Sequence, residues 1–412
     1  MRIWIIKANE PKPVLNNESR LGRMGLLAEE LAERGNEVIW YTSTFSHLKK
    51  EQIYKEDTTV NIKENYVIEF IKTYGYKKNI SLGRILSYRH LAHKFKKMSK
   101  KTEKPDIIYV AFPTIELAEK AIKYGEENNV PVVVDVRDLW PDIFNHNLSG
   151  VLKILAKPYI EFMDYKAKKI MKKAYNITAI SSAMLEWGKN KGTRFDNKND
   201  KYFYMGYKKQ AKGLEITDEQ KSKMKIDKNT FNIIFVGTLI KQFNFDILIQ
   251  VAQELKNNGV KFYVCGTGNR VDEIKEKTKD LENFIMTGWL EKEELNYILK
   301  NMDMGFAPYN NTFDFQSSIS NKFAEYLCYG LPVIITSDGC MAEIIEKNEI
   351  GIASRDIKKI SEFIIKLKNN KEEYEKKSKR ALEIYNNEFM ADKVYKELAE
   401  YLEKIVKSYK KL

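Results

Sequence analysis

The stretch Ser317–Thr336, SSISNKFAEYLCYGLPVIIT, holds the residues whose types and spacing are best suited to chemistry. Ser318, Ser320 and Asn321 are helix N-cap residue types, and Lys322–Tyr329 reads as a short helix closed by Gly330. Leu331–Thr336 then reads as a buried strand. The first backbone N–H groups of such a helix have no intrahelical partner and form a ready anion site, best matched to phosphate. Lys322 adds a full positive charge in the first turn, and Glu325 shares its face one turn deeper. Amides and a cation for a diphosphate, with a carboxylate beyond them for sugar hydroxyls, are what a nucleotide-sugar site requires. A surface Lys–Glu pair on an ordinary helix-to-strand connection accounts for the same residues.

A second charged group follows the strand Val130–Val136: Asp135-Val136-Arg137-Asp138-Leu139-Trp140-Pro141-Asp142. Carboxylates and a guanidinium at the carboxyl end of a central strand are costly to bury without a purpose. They either face a ligand or form a buried Arg–Asp lock that anchors the loop. No nucleophile, base and orienting group accompany them, so hydrolysis of the Ser-His-Asp type has no support. Cys265, Cys328 and Cys340 have neither metal nor redox spacing. Among His47, His90, His93 and His146 only His90-x-x-His93 is paired, on a basic helix whose surface is its expected place. No metal site is expected.

The elements that position these residues alternate. In the first half, strands are predicted at 2–7, 36–42, 67–72, 106–111, 130–136 and 174–181, with helices at 19–35, 80–101 and 115–128 between them. Ser149–Lys173 mixes Leu152, Ile154, Leu155, Ile160, Phe162 and Met163 with seven lysines. Such a helix either rests on an anionic bilayer or packs on its own sheet. A polar stretch carries the interdomain linker near Lys208–Gly213. A second series runs from Phe231 through strands 231–237, 260–266, 283–288, 303–308, 331–336 and 351–353. Two such series predict two doubly wound, Rossmann-like α/β domains facing across a cleft. The expected divisions are 1–208, 209–390 and a C-terminal helix, 391–412, that crosses back to the first domain after a break near Asn386–Phe389.

Length and composition agree with this. A chain of 412 residues is long for one core, and 43% apolar with 31% charged residues is globular. No segment approaches the roughly 18 uninterrupted apolar residues of a membrane span. The N-terminal MRIWIIK reads as a first strand rather than a signal peptide, and a cytoplasmic location is expected. The net charge of +13 suits anionic partners: phosphorylated substrates or lipid headgroups. No nucleic-acid-binding motif accompanies it, and no nucleic-acid partner is expected.

In the C-terminal half, Phe235-Val236-Gly237-Thr238-Leu239, Cys265-Gly266-Thr267-Gly268, Thr287-Gly288-Trp289-Leu290, Ala307-Pro308-Tyr309 and Asn321-Lys322-Phe323-Ala324-Glu325-Tyr326 follow in a characteristic order and spacing. The chain thereby resembles the retaining nucleotide-sugar glycosyltransferases of family 4, of GT-B architecture, over essentially its whole length. GLLAEELAERGNEVIWYTSTFSH and DVRDLWP resemble the subgroup of bacterial capsule, O-antigen and exopolysaccharide assembly, which includes the L-fucosamine transferases.

The resemblance implies roles. The Gly237-Thr238 turn, Lys241, and Lys322 with its helix start (Ser318, Ser320, Asn321) would hold the diphosphate of a UDP-sugar. Glu325 would bind the ribose hydroxyls, and the backbone near Trp289 and Leu290 would read the base. Gly266 and Gly268 would let the chain approach the nucleotide, although a plain tight turn needs them equally. Arg137 and Asp138 would lie near the sugar and the acceptor hydroxyl. Arg20 and Arg23 would contact a diphosphate of donor or acceptor, unless they form only a basic first helical turn. The expected acceptor is a lipid-diphosphate-linked or other glycan at the inner membrane face, and the enzyme needs neither metal nor cofactor.

Three features depart from the family pattern. Thr238 and Phe243 stand where many members have diphosphate-binding Arg and Lys, Ser317 stands at the first glutamate, and KPVLNN replaces a glycine pair in the first loop. These departures leave open a non-catalytic scaffold of the same shape. A nucleotide-sugar epimerase is the other alternative, although the second domain offers no acid–base set facing a sugar.

Overall fold

A computed structural model of the protein describes residues 1–14, 21–47, 49–79, 81–195, 197–209 and 216–411. The chain divides into two units, Met1–Tyr204 with Asp392–Leu412, and Met205–Ala391. The first division lies ahead of the expected one after Lys208. Positions 210–213 of the expected linker are outside the described residues.

Among the described residues ten strands belong to the first unit: β1 (Arg2–Ile6), β2 (Glu37–Ser43), β3 (Phe45–Ser46), β4 (Glu51–Gln52), β5 (Thr58–Lys63), β6 (Tyr66–Ile71), β7 (Ile107–Phe112), β8 (Val132–Val136), β9 (Asn176–Ala179) and β10 (Lys201–Tyr202). Eight form one sheet in the order β10-β9-β8-β7-β1-β2-β6-β5, while β3 and β4 pair as a separate antiparallel ribbon. The central strands are apolar runs, interrupted in β8 by Asp135, because helices cover both faces, and every residue of β7 and β8 is buried. The sequence reading missed β5. It is an antiparallel edge strand whose TTVNIK alternates between half-buried and exposed, a weak signal beside the solid runs of the interior.

The C-terminal helix Ala391–Tyr409 packs on this unit. Val394, Leu398, Leu402 and Ile405 are buried at helical spacing. Arg34 grips Glu403 with two hydrogen bonds of 2.9 and 2.8 Å, a bidentate geometry that fixes orientation as well as contact. The break expected near Asn386–Phe389 is a π-helical turn, Tyr385–Phe389.

The second unit holds β11 (Phe231–Val236), β12 (Val260–Cys265), β13 (Phe284–Gly288), β14 (Met304–Ala307), β15 (Val333–Ile335) and β16 (Gly351–Ala353). They form a fully parallel sheet in the order β13-β12-β11-β14-β15-β16. The chain starts at the centre, winds outward through β12 and β13, then reverses to β14 on the other side of β11. That reversal is the switch point at which open α/β sheets bind ligands, beyond the carboxyl ends of the strands. Among the described residues the unit also holds helices that the sequence reading left unmentioned, Asp218–Lys223, Phe313–Ser317, Cys340–Asn348 and Ile357–Asn369.

Candidate functional site

The loops after β11 and β14 flank the switch point of the second unit. Helix Asn321–Cys328 lies between β14 and β15, one residue longer at its start and shorter at its end than expected. Of the three candidate caps, Ser320 does the capping: its Oγ accepts from the Phe323 amide at 3.2 Å. Ser318 is extended and Asn321 is the first helical residue. Tyr326 anchors the helix to the sheet. Its hydroxyl accepts from the Val236 amide at 3.1 Å, and its ring lies so close over Gly305 that a Cβ there would come within 2.3 Å.

This packing brings Lys322 against the Gly237 turn. A Cβ on Gly237 would lie 2.3 Å from Lys322 Cε and 2.5 Å from Nζ, and Gly237 adopts φ +146°. The ammonium sits over the rings of Phe243 and Phe235, 4.6 and 5.6 Å from their centroids. Burial pushes Lys322 down to about 8, against the raising effect of Glu325. Phe243, one of the positions where the sequence departs from the pattern it resembles, is thus the platform of the Lys322 ammonium.

Glu325 is buried, and its Oε1 accepts from the Tyr207 hydroxyl at 2.7 Å. Sequence reasoning missed Tyr207, which sits in a stretch read as linker with no periodic signal. Ser317, another of the departures from the resembled pattern, is buried and donates back to the Phe313 carbonyl at 2.8 Å.

The glycines of the next loop have a physical account in the protein itself. Gly266 has φ +140°, and a Cβ there would meet Gly237 O at 2.0 Å; one on Gly268 would meet Leu239 O at 2.2 Å. The loops after β11, β12 and β13 are laced together by Gly237 N to Cys265 O, Leu239 N to Thr267 O and Gly266 N to Gly288 O, at 2.9, 2.9 and 2.7 Å. Trp289 follows Gly288, is 68% exposed, and donates to Glu291 Oε1 at 3.1 Å, with Leu290 half-buried beside it. Thr238 and Lys241 are exposed on the first of these loops. Cys265 beneath them is buried, and burial raises its thiol to about 12.

In the first unit the charged candidate residues have partners within the unit. Arg23 is not a diphosphate contact. Its side chain is 0% exposed and forms a bidentate pair with Asp135, at 3.0 and 3.1 Å. Its remaining nitrogen, Nη1, donates to both the Phe203 and Tyr204 carbonyls, at 2.9 and 3.0 Å. Burial opposes the charge on Asp135, but Arg23, Arg137 and the Thr178 hydroxyl outweigh it and hold the carboxyl below its usual range. The buried Arg–Asp lock considered for Asp135 is therefore real, with Arg23 as its arginine. The expected helix 19–35 is described as Arg23–Glu33, and Arg20 lies outside the described residues.

Arg137 pairs instead with Glu10. Glu10 Oε1 also accepts from the Met24 amide at 2.5 Å, so its carboxylate occupies the start of helix Arg23–Glu33. Sequence reading placed Glu10 in a featureless loop and missed it. Asp138 is half-buried and accepts from its neighbour's amide, Leu139 N, at 2.8 Å.

With this geometry in view, comparison with known proteins bears on the second unit directly. Residues 216–384 match the family model described as Glycosyl transferases group 1. The fold is that of the GT-B glycosyltransferases. The chain superposes on sucrose-phosphate synthase from Thermosynechococcus elongatus with TM-score 0.70 at 13% identity, covering 99% of this chain and all of the other. It superposes on the Anabaena protein HepE in complex with UDP-glucose with TM-score 0.63 at 15% identity, covering 98% of this chain and all of HepE. In sequence, an uncharacterized 41.2 kDa protein in the cps region of Klebsiella pneumoniae is 27% identical over 127 residues. That alignment spans 31% of this chain and 33%, about a third, of the relative.

Proposed function

We propose that the protein is a retaining glycosyltransferase of family 4, similar to the L-fucosamine transferases. It would move an N-acetylated hexosamine or deoxyhexosamine from a UDP-sugar to a lipid-diphosphate-linked or glycan acceptor in bacterial surface polysaccharide assembly. The observation that carries this reading is Lys322 packed against the Gly237 turn at the start of a Ser320-capped helix, beside the switch point. The family-model match over 216–384 supports it, as do the UDP-glucose held by HepE and the cps-region relative.

In this reading Lys322, the helix N-terminus and the amides of Gly237 and Thr238 bind the diphosphate, with Lys241 near its open side. Glu325 takes the ribose, and the backbone at Trp289 and Leu290 takes the base. The acceptor oxygen bonds to the anomeric carbon on the face from which the diphosphate leaves, so configuration is retained. The acceptor proton passes to the departing phosphate oxygen, and the products are UDP and the new glycoside. Charge developing on the leaving group is met by Lys322 and the helix dipole, and no metal is required for that step. Arg137 and Asp138 act on the acceptor side.

The protein would work in the cytoplasm at the inner membrane face. Helix Gly150–Lys173 buries Ile160, Met163, Ala167, Ile170 and Met171, yet Val151, Leu152, Ile154 and Leu155 are 70, 68, 71 and 72% exposed. Those apolar side chains sit among lysines, the composition of a segment that enters an anionic headgroup layer. No helix among the described residues is long and apolar enough to cross a membrane.

The test is calorimetric titration of UDP and GDP into wild type and Lys322→Ala, without metal. UDP binding that collapses in the variant supports the donor site. Absence of binding for both nucleotides overturns it and favours the scaffold alternative.

A further inference from the structure

The first unit gathers a set of cations that the donor reading does not use. His47 and Lys50 stand on the tip of the β3–β4 ribbon, just beyond the carboxyl end of β2, and Arg84 opens the helix Leu82–Ser99. Lys50 Nζ lies 3.3 Å from His47 Nδ1, and the Tyr76 hydroxyl lies 2.7 Å from the same nitrogen. An ammonium can only donate, so Nδ1 is the acceptor and Nε2 carries the proton. That Nε2–H meets no acceptor among the described residues.

Arg84 donates to the Tyr88 hydroxyl at 3.1 Å and stacks over the rings of Tyr88 and Trp140, 5.1 and 4.8 Å from their centroids. Asn79 ties the two cations together. Its side-chain oxygen accepts from Lys50 at 2.5 Å and its carbonyl from Arg84 at 2.8 Å. Lys50 takes a left-handed φ of 59°, a conformation that costs a lysine energy.

These ties neutralise no charge. Burial first, and then the charges of Lys50, Arg84 and Lys7, all cations, hold the His47 imidazole neutral with a pKa of about 4. Among the described residues neither Lys50 nor Arg84 has a carboxylate partner, although ion pairs are abundant elsewhere on the unit. A loop held only for stability would bring an acid to this place, because clustered like charges oppose folding.

We propose that Lys50, Arg84 and the His47 Nε2–H form a subsite for a phosphoryl group of the acceptor, with Trp140 as the flat wall beside it. This rests on the glycosyl-transfer reading for the word acceptor, but the anion binding itself does not. Two hydrogen-bonding cations and one neutral donor match the oxygens of a phosphate or diphosphate, and the guanidinium is already oriented by stacking. The phosphate has two chemical sources, a lipid-linked diphosphate or a soluble sugar phosphate.

The test titrates inorganic pyrophosphate, geranyl diphosphate and glucose 1-phosphate into the full chain carrying Lys322→Ala, which silences the candidate donor site. Lys50→Gln with Arg84→Gln, added to that background, is expected to weaken pyrophosphate binding at least about tenfold. Lys50→Gln alone, at the half-buried tip of the ribbon, keeps the comparison valid if the double change impairs folding. Stronger binding of geranyl diphosphate assigns the lipid-linked source, and stronger binding of glucose 1-phosphate assigns the soluble one. Absence of pyrophosphate binding, or equal binding by the variants at unchanged melting temperature, overturns the subsite. UDP titrated into Lys50→Gln with intact Lys322 reads the donor site separately, so the two readings fail independently.

Discussion

The Tyr207 hydroxyl donates to Glu325 Oε1 at 2.7 Å, and both side chains are buried. Tyr207 lies just after the chain enters the second unit, and its backbone pairs with the segment just before the chain leaves it. Its amide donates to Phe389 O at 2.8 Å, and the Ala391 amide donates to its carbonyl at 3.1 Å. The Tyr385 hydroxyl from the π-helical turn donates to the same carbonyl at 2.9 Å. The carboxylate assigned to the ribose is thus oriented by a residue fixed on both chain crossings.

Tyr207→Phe removes one charge-assisted hydrogen bond and keeps the ring. Such bonds contribute about 1.5–3 kcal/mol, so UDP affinity is expected to fall roughly tenfold with little change in the fold. Calorimetry with UDP, alongside thermal unfolding, checks this. A variant that binds UDP as wild type does would remove Tyr207 from the donor site.

Lys322 gives the site a pH signature. Burial holds its pKa to about 8 in the free protein, with Glu325 opposing the drop. Diphosphate binding needs the ammonium, so affinity is nearly full at pH 7 and falls as pH rises through that value. Well above it the loss approaches about tenfold per pH unit. The phosphate of UDP last ionises near pH 6, by analogy with phosphomonoesters, and leaves this limb to the protein. Lys322→Arg keeps its charge and should flatten the limb. A UDP dissociation constant that is level across the alkaline range in wild type would count against Lys322 as the diphosphate cation.

The Arg23–Asp135 pair makes a different kind of prediction. Both side chains are 0% exposed, and Thr178 donates to Asp135 at 2.7 Å. Arg23→Ala leaves a buried carboxylate without its guanidinium and releases the carbonyls of Phe203 and Tyr204. A loss of about 3–5 kcal/mol is expected. Urea unfolding followed by tryptophan fluorescence measures it. A variant as stable as wild type would show that water or another cation replaces the arginine.

How far the sequence carries is visible in these same residues. The six strands of the second unit and the capped start of the Lys322 helix were legible because buried parallel strands are apolar runs and caps are local signals, whereas the strand order that makes the switch point was not. The partner of Asp135 was not. Arg23 stands 112 residues away in the chain, and nothing in its own helix distinguishes a buried guanidinium from a basic first turn. Gly266 reads in sequence either as a ligand-facing glycine or as a plain tight turn, whereas the atom that forbids its Cβ is the carbonyl of Gly237 on a neighbouring loop. Tyr207 and Glu10 belong to irregular segments, where side-chain roles depend on tertiary contacts and leave no periodic trace.

The exposed apolar turn at the start of helix Gly150–Lys173 yields the last prediction. Leu152 and Leu155 are 68 and 72% exposed, so replacing them costs the folded protein little. Each leucine buried in a headgroup layer contributes about 1.5–3 kcal/mol, and the surrounding lysines add roughly 1 kcal/mol apiece near an anionic surface. Leu152→Glu with Leu155→Glu should therefore abolish sedimentation with phosphatidylglycerol vesicles at low salt, while melting temperature and UDP affinity hold. Vesicles of phosphatidylcholine alone should bind wild type weakly, because the lysines then contribute nothing. Wild type that stays in the supernatant with anionic vesicles would leave the apolar turn without a bilayer partner and point to a glycan acceptor free of lipid.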